Sequence, residues 1–285
     1  MARNNQRRRT GTKGPETQPA TTETSDNASA LPFVTPTELV DLPSLGRFYP
    51  EDHPLHNKKE VEIRYMTTRD EDILTSQSLL KKGVALERFL ENIVVDKRIK
   101  PSKLLVGDRN AILVAARITG YGPEYETRVV CGNCRAKVNH SFDLHHMSVY
   151  TGADSNDIDA SFTADNTFKT KLPLTGLEVE MRLLTGEDEN LIAQKTTLNK
   201  KRKALVGTLT SQLNRCIVSV NGDDSRDTIT QLVNMLPARD SRHLRNIHRA
   251  VMPTVDLTQT FECPECSHEQ EMEVPFTADF FWPKS

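Results

Sequence analysis

Two short stretches, Cys131-Gly132-Asn133-Cys134 and Cys263-Pro264-Glu265-Cys266, each place two cysteines three positions apart at distant points of the chain. Strand-like runs flank each stretch, which predicts two β-hairpins whose tight turns carry the thiol groups. Two such turns facing each other would supply the four sulfur ligands that a structural zinc ion prefers. We therefore predict one zinc site formed by Cys131, Cys134, Cys263 and Cys266.

The sequence also resembles itself. Residues 61–72 align with residues 179–190 at an offset of 118, and six of the twelve positions are identical. Asp108 aligns with Asp240 at an offset of 132, and the two cysteine turns align at that same offset. Landmarks that recur in the same order predict two tandem copies of one unit, each a strand, then helices, then a zinc-knuckle hairpin. The alternative is chance similarity between two strand-to-helix junctions.

The predicted fold class is α+β, with the two copies joined by a zinc-ribbon-like four-cysteine site. At 285 residues the chain is long enough for two units with cores of their own. The predicted boundaries are a basic and polar disordered arm at 1–30, an extended strap at 31–60, repeat unit 1 at 61–147, a linker at 148–166, repeat unit 2 at 167–275 and an aromatic tail at 276–285.

Charge and hydropathy restrict the class of protein. The net charge is only −2, which disfavours a dedicated nucleic-acid-binding protein. No apolar run approaches the roughly 20 residues that span a bilayer, and the N-terminus is polar and basic rather than signal-like. We therefore expect a soluble protein of a reducing compartment, with no membrane partner, whose cysteines bind metal rather than form disulfides.

The fifth cysteine, Cys216, lies in an apolar pattern that extends from Leu209 to Val220. This pattern predicts a long helix from about Arg202 to Val220, with Cys216 on its buried face. The alternative for Cys216 is a reactive thiol.

Apolar side chains in the strap and the aromatic tail are predicted to contact partner proteins. These residues are Phe33, Leu42, Phe48 and Tyr49 in the strap, and Phe280, Phe281 and Trp282 in the tail. For the tail, the alternative of capping the chain's own core is equally open.

No catalytic residues are predicted, because the chain lacks the nucleophile-elbow, phosphate-loop and zinc-protease motifs. Acidic clusters at residues 70–72 and 187–189 fall at predicted helix starts, where negative charge favours the helix dipole. The first of these helices is predicted to begin near Thr68, with Glu71 in capping-box spacing. Four cysteines would leave zinc no open position, so we expect a structural ion, no small-molecule substrate and no metalloenzyme.

Several motifs together resemble the baseplate hub and hub assembly proteins of T-even-like, contractile-tailed phages. They are Leu42-Pro43-Ser44-Leu45-Gly46-Arg47-Phe48-Tyr49-Pro50, Thr67-Thr68-Arg69-Asp70-Glu71-Asp72-Ile73-Leu74, Asp108-Arg109-Asn110, Tyr121-Gly122-Pro123-Glu124-Tyr125 and the first cysteine turn. The resemblance covers about residues 40–147. The second copy is similar only in part, since Ser241 replaces Arg109 and Met252-Pro253 replaces the Gly-Tyr-Gly turn.

This resemblance implies a non-enzymatic late viral protein that belongs to the baseplate hub or helps to assemble it. Its partners would be other baseplate and tail proteins, and its locations the host cytoplasm during assembly and the virion. The residues also leave a second function open, a zinc-ribbon nucleic-acid or transcription-associated module. The absence of interleaved basic and aromatic residues on the hairpins argues against that alternative.

Overall fold

The computed structural model describes residues 35–154, 156–202, 207–274 and 278–281. The predicted arm at residues 1–30 lies outside the described residues, as do Phe33 and Trp282. The described chain mixes helices with strands, which confirms the α+β class. No helix within the described ranges is both long and apolar enough to cross a bilayer.

Eight α-helices and twelve β-strands lie in the described residues. The helices are α1 Thr68–Thr75, α2 Gln77–Lys82, α3 Ala85–Ile93, α4 Val106–Tyr121, α5 Gly186–Arg202, α6 Thr208–Cys216, α7 Arg226–Met235 and α8 Ala238–Val251. The strands are β1 Thr37–Asp41, β2 Glu60–Arg64, β3 Glu124–Val130, β4 Lys137–Asp143, β5 Ser148–Tyr150, β6 Ser161–Phe162, β7 Phe168–Lys171, β8 Glu178–Met181, β9 Ile217–Val220, β10 Thr254–Asp256, β11 Thr258–Glu262 and β12 Glu269–Glu273. Each half of the chain thus runs from strands through helices to a hairpin.

The predicted strap contains a strand of the chain's own sheet, because β1 pairs antiparallel with β2. The turn after β1 lies against the start of α4. There Ser44 donates from its N–H and its hydroxyl to the Asp108 carboxylate at 2.9 and 2.6 Å. The Tyr49 hydroxyl donates to the same carboxylate at 2.8 Å. These bonds fix the middle of the strap onto the first half of the molecule.

Helix α1 begins at Thr68, as the sequence predicted, but its capping box stands one residue earlier than predicted. The N–H of Thr67 donates to Oδ2 of Asp70 at 2.9 Å, whereas the predicted pair was Thr68 and Glu71. Both pairs have the required spacing and residue types. Asp70 rather than Glu71 forms the capping box, because the Asp70 carboxylate is also bound by Arg64 at the end of β2.

The two cysteine turns close two separate antiparallel hairpins, β3–β4 and β11–β12. Val130 stands opposite Lys137 just before the first turn, and Glu262 stands opposite Glu269 just before the second. The flanking runs therefore form strands, as the sequence predicted, and the cysteines lie at the tips of the hairpins.

The long helix predicted from about Arg202 to Val220 is wrong at both ends: Arg202 belongs to α5, and α6 begins only at Thr208, after an extended Gly207. α6 ends at Cys216, and the next four residues form β9, an edge of the sheet with strand order β6-β7-β8-β9. The run Ile-Val-Ser-Val is rich in β-branched residues, which favour strands, and a short apolar run does not separate helix from strand by periodicity. Cys216 itself is a buried helix residue, as predicted.

The buried apolar side chains form one connected core instead of the two that the sequence predicted. β5, which lies in the predicted linker, pairs with β10 from the second half, and α4 packs against β10. Gly107 in the first turn of α4 lies so close to Pro253 that a Cβ atom there would overlap the Pro253 carbonyl group. Close packing at this point joins the two halves into one body.

Candidate metal centre

The four cysteines of the two turns lie together, with all four sulfur atoms within 4.8 Å of one another. Sγ of Cys131 is 3.8 Å from Sγ of Cys266, and Sγ of Cys134 is 3.7 Å from Sγ of Cys263. Four sulfurs placed tetrahedrally about 2.3 Å from a zinc ion would be about 3.8 Å apart. Disulfide-bonded sulfurs would be only about 2.05 Å apart. The donor set is therefore compatible with one tetrahedral metal ion.

Both turns have the same backbone geometry, which directs each pair of sulfurs to one point. The N–H of Arg135 donates to the carbonyl oxygen of Cys131 at 3.1 Å, and the N–H of Ser267 donates to that of Cys263 at 2.8 Å. Arg135 and Ser267 also share a left-handed backbone conformation, with φ values of 63° and 53°. The residue that follows each cysteine pair thus closes its turn in the same way.

The sulfur atoms influence one another's ionisation. The N–H groups of Cys134 and Asn133 point at the sulfur of Cys131 and lower the pKa of that thiol to about 6. The N–H of Ala136 acts on Cys134 in the same direction, but hydrogen bonds with the sulfurs of Cys266 and Cys131 outweigh it and raise the pKa of Cys134 to about 12. One thiol therefore ionises readily while its neighbour resists. A bound cation would offset the repulsion between neighbouring thiolates and hold all four sulfur groups in the thiolate form.

Two glutamine side chains hold the hairpins together around the cysteines. Gln259 of β11 accepts from the N–H of Asp143 at 3.2 Å and donates to its carbonyl oxygen at 2.7 Å. Gln270 of β12 accepts from the N–H of Gly132, inside the first cysteine turn, at 2.9 Å. These bonds orient the ligand-bearing turns without the metal. Neither glutamine was predictable from the sequence, because nothing in the local pattern indicates which distant backbone an amide will reach.

An aromatic contact adds to this association. The ring of His140 on β4 lies edge-on to Phe142 at 4.6 Å and to Phe261 at 5.1 Å, measured between ring centroids. Burial lowers the pKa of His140, so the ring is neutral at pH 7. Both phenylalanines are fully buried. His140 thus joins the hairpins by packing and lies outside the cluster of possible metal ligands.

A family model described as T4 bacteriophage base plate protein matches residues 47–282, a range that includes all four cysteines. The chain belongs to this family. The match confirms the resemblance seen in residues 40–147 and extends it through the second cysteine turn. Neither the curated proteins nor the solved structures that were searched gave a match.

In this baseplate protein, five of the seven predicted partner-binding residues are described, and four of them are buried in the chain itself. The four buried residues are Leu42, Tyr49, Phe280 and Phe281. Their burial argues against direct contact with a partner, and it favours the alternative in which the C-terminal aromatics cap the core. Phe48 is only partly buried, so a partner contact stays a prediction for that residue.

A buried arginine fixes the C-terminal turn of the baseplate protein. Arg117 of α4 donates from Nε to the carbonyl oxygen of Phe280 at 2.8 Å. Its Nη1 and Nη2 atoms donate to the carbonyl oxygens of Gly122 at 2.7 Å and Glu124 at 3.0 Å. One guanidinium therefore ties the end of α4, the start of β3 and the C-terminal turn together. An arginine within an apolar helix was the only sequence signal for this role.

Proposed function

We propose that this baseplate protein is a non-enzymatic, zinc-stabilised scaffold of the hub region, which binds neighbouring baseplate and tail proteins. The observation that carries the proposal is the close approach of the four sulfurs, which is compatible with one tetrahedral ion. Zinc bound by four cysteines has no open coordination position, so it stabilises structure instead of activating water or a substrate. The ion would join a hairpin of the first half to a hairpin of the second and restrict movement between them.

Matching contacts in the two halves support a scaffold built from two copies of one unit. The N–H of Ser44 donates to Asp108 at 2.9 Å, and the N–H of Leu174 donates to Asp240 at 2.8 Å. Both carboxylates stand in the first turn of the helix that precedes a cysteine hairpin, α4 in one half and α8 in the other. In both halves the donor belongs to the turn that follows a strand, β1 or β7. Under this proposal the first unit begins at β1, upstream of its predicted boundary.

Partner contact is proposed at a cluster of exposed Arg47 and Phe162 and partly buried Phe48, here called the aromatic patch. The rings of Phe48 and Phe162 are 5.9 Å apart, and the Arg47 guanidinium lies 5.9 Å from the Phe48 ring centroid. Phe162 is 39% exposed, on an edge strand. Phenylalanine and arginine are enriched at protein interfaces relative to the rest of the surface. The patch therefore offers a partner surface that the buried aromatic residues do not.

A phage whose gene for this chain carries a stop codon tests the proposal. Electron microscopy of its lysates is expected to show no complete baseplates, and added purified protein should restore them. Phe162→Ser should fold and bind zinc like the wild type but restore fewer baseplates. Leu174→Ser, at a residue that is 58% exposed and outside the patch, is the matched control.

The outcomes separate the parts of the proposal. Complete, infectious tails in the absence of the chain would contradict the baseplate role. Normal restoration by Phe162→Ser would contradict the aromatic patch alone.

A further inference from the structure

Positive charge is concentrated in one continuous part of the chain. Residues 190–222, which include most of α5 and the whole of α6 and β9, carry six lysine and arginine residues and no aspartate or glutamate. A cavity of about 360 Å³ lies between α5, α6 and α7. Its charged wall residues are Lys195, Arg215 and Arg226, and no carboxylate of a described residue lines it. This cavity is here called the cationic cavity.

The cations of its wall lack an anionic partner in the described part of the chain. Lys195, Arg215 and Arg226 form no ion pair with any described residue. Arg215 is half-buried, where an unpaired charge loses more solvation energy than at the surface. Ser211 and Thr230 add hydroxyl groups to the wall. Because guanidinium, ammonium and hydroxyl groups all donate hydrogen bonds to a carboxylate, the cavity is suited to carboxylates from another molecule.

The carboxylates nearest in sequence to the cationic cavity lie outside it. The three acidic residues at 187–189 form ion pairs with basic residues that do not line the cavity. Three further carboxylates stand just before α7 and in its first turn, at Asp223, Asp224 and Asp227, and none of them lines the cavity. Their charge weakens the positive field at long range. The cavity therefore attracts an anion mainly at contact distance.

Negative charge is concentrated in another part of the chain, around the second cysteine turn. Residues 250–283 carry seven aspartate and glutamate residues and no lysine or arginine. The pairing of β11 with β12 places four glutamates on one side of the hairpin, because opposed residues and alternate residues of a strand share a face. They are Glu262, Glu269, Glu271 and Glu273, here called the glutamate face.

The glutamate face is exposed and has no cationic partner. All four side chains are exposed, and none forms an ion pair with a described residue. The other face of the hairpin meets the first hairpin through Gln259, Phe261 and Gln270, so the glutamates point away from it. Glu262 stands directly opposite Glu269, and like charges in that position destabilise a hairpin. A cationic partner would offset this repulsion.

We propose that the glutamate face of one copy of this chain docks onto the cationic cavity of a second copy. The two surfaces carry opposite charge, and each lacks a partner in the described part of its own chain. Arginine binds a carboxylate through two parallel hydrogen bonds, which favours glutamate side chains as the groups that enter the cavity. The contact goes beyond the proposed scaffold function, because it joins copies of this chain instead of different proteins.

Sedimentation velocity of the full-length chain, purified without chelators, tests whether copies associate. At about 50 mM salt the average mass should rise with protein concentration above the mass of one chain. At about 500 mM salt the association should be at least about tenfold weaker, because exposed charges are then screened within about 4 Å. A mass of one chain at every concentration and at both salt levels would overturn the proposal.

Charge reversals assign the association to the two surfaces. The face variant is Glu269→Lys, Glu271→Lys and Glu273→Lys, which leaves one glutamate beside three lysines. The cavity variant is Lys195→Glu with Arg226→Glu, which leaves one arginine beside two glutamates. Each variant should associate at least about tenfold more weakly than the wild type at low salt. All five substituted side chains are exposed, and circular dichroism checks that both variants keep the fold.

An equimolar mixture of the two variants is the decisive measurement. The face variant keeps the cationic cavity, and the cavity variant keeps the glutamate face, so these two unchanged surfaces meet in the mixture. The two reversed surfaces are also opposite in charge to each other. The mixture should therefore associate at least about tenfold more tightly than either variant alone. Mixing would not repair a loss of association caused by misfolding.

Control variants reverse exposed charges outside both surfaces. Glu124→Lys with Glu126→Lys changes the outer face of the first hairpin, and Lys58→Glu with Lys59→Glu changes the chain just before β2. All four side chains are exposed. Both controls should associate like the wild type at low salt.

Three results with the variants would overturn the proposal: undiminished association of the face or the cavity variant, no gain on mixing, or an equal loss in the controls. Loss of association after Arg7→Gln, Arg8→Gln and Arg9→Gln would also overturn it, because N-terminal residues, outside the described ranges, would then supply the cationic partner. These measurements use the purified chain alone. Their failure would leave the scaffold function standing, because the restoration of baseplates tests that function separately.

Discussion

Arg64 and Asp70 are joined by two parallel hydrogen bonds, from Nη1 to Oδ2 at 2.6 Å and from Nη2 to Oδ1 at 2.8 Å. Asp70 is fully buried, and the Arg64 side chain is 24% exposed. Arg182 and Asp188 form the same pair in the second half, at 2.7 and 2.8 Å. Each aspartate also caps its helix, so each pair fixes the point where a strand gives way to a helix.

Asp70→Asn is expected to lower the free energy of unfolding by about 2–3 kcal/mol at pH 7, because Arg64 loses a buried charged partner. Arg88 and Glu91 form an exposed pair on α3, and Glu91→Gln should cost at most about 0.5 kcal/mol. Urea unfolding of both variants measures the difference. Equal losses would contradict the role given to Asp70.

The Arg64–Asp70 pair should also make the free energy of unfolding depend on pH in the acidic range. Burial alone would raise the pKa of Asp70, but hydrogen bonds from Arg64 and Thr67 outweigh it and hold the pKa below its usual 3.8. Because the folded-state pKa is depressed, this stabilisation is complete above pH 3.8 and is lost as the pH falls through the lower folded value. As the pH falls from 3.8 to that lower value, wild-type stability should therefore decrease more steeply than that of Asp70→Asn. Parallel curves of unfolding free energy against pH would exclude this contribution.

Tyr49→Phe is expected to cost about 2 kcal/mol at pH 7, because Asp108 loses a donor and the N–H of Leu105 loses its acceptor. Tyr150 also donates to a carbonyl group but is 40% exposed, so Tyr150→Phe should cost less than about 1 kcal/mol. Thermal and urea unfolding compare the two variants. A larger loss for Tyr150→Phe would count against the buried carboxylate as the main acceptor.

The loss of unfolding free energy caused by Tyr49→Phe should also become smaller at acidic pH. Burial raises the pKa of Asp108, and the donors Ser44 and Tyr49 offset part of that rise. Removing Tyr49 therefore raises the folded-state pKa further, and the folded variant binds a proton more readily than the folded wild type. The difference in unfolding free energy between the two proteins should decrease from pH 7 towards pH 4. A difference that grows in acid would contradict an ionised Asp108 at neutral pH.

Cys263→Ser is expected to reduce bound zinc from about one ion per chain to almost none, and to lower the melting temperature sharply. Cys216→Ser is the matched control, because Cys216 is buried in α6 outside the cluster. Elemental analysis of protein purified without chelators gives the metal content. Wild-type protein without zinc would contradict the metal assignment, and two ions per chain would mean that each turn recruits other ligands.

Phe281→Ala is expected to cost about 3–5 kcal/mol, because its ring is buried and packs edge-on against Phe89 at 5.3 Å. Met235→Ala, at a residue that is 81% exposed, should change stability by less than about 0.5 kcal/mol. Unfolding of the isolated chain distinguishes a core residue from a partner contact. Unchanged stability with lost co-purification of tail proteins would assign Phe281 to an interface.

Features that depend on local chemistry could be predicted from the sequence. The spacing within each cysteine pair sets the turn, so the cluster of Cys131, Cys134, Cys263 and Cys266 was predictable residue by residue. The start of α1 at Thr68 was predicted, and its capping box was predicted to within one residue, because capping acts over a single turn. In that case only the contact from Arg64 on the preceding strand decided between Asp70 and Glu71.

Features that depend on distant partners could not be predicted. Residues Ile217–Val220 form a strand because β8 lies beside them, and their own pattern fits a helix equally well. Tyr49 has the composition of an interface residue, yet the carboxylate of Asp108 and the N–H of Leu105 hold its hydroxyl inside the chain. Gln259 and Gln270 reach backbone groups more than 100 positions away. Such pairings follow from tertiary packing and leave no mark in a local pattern.

The wide separation of the two cysteine turns bears on the order of events during synthesis. Cys131 leaves the ribosome 132 residues before Cys263. The first cysteine pair is therefore made long before the second pair, with which it forms the cluster. A chain that stops before Cys266 lacks at least one of the four clustered sulfur atoms, whatever the quality of its N-terminal fold. Closure of the cluster thus requires that the second hairpin has been made and has folded against the first.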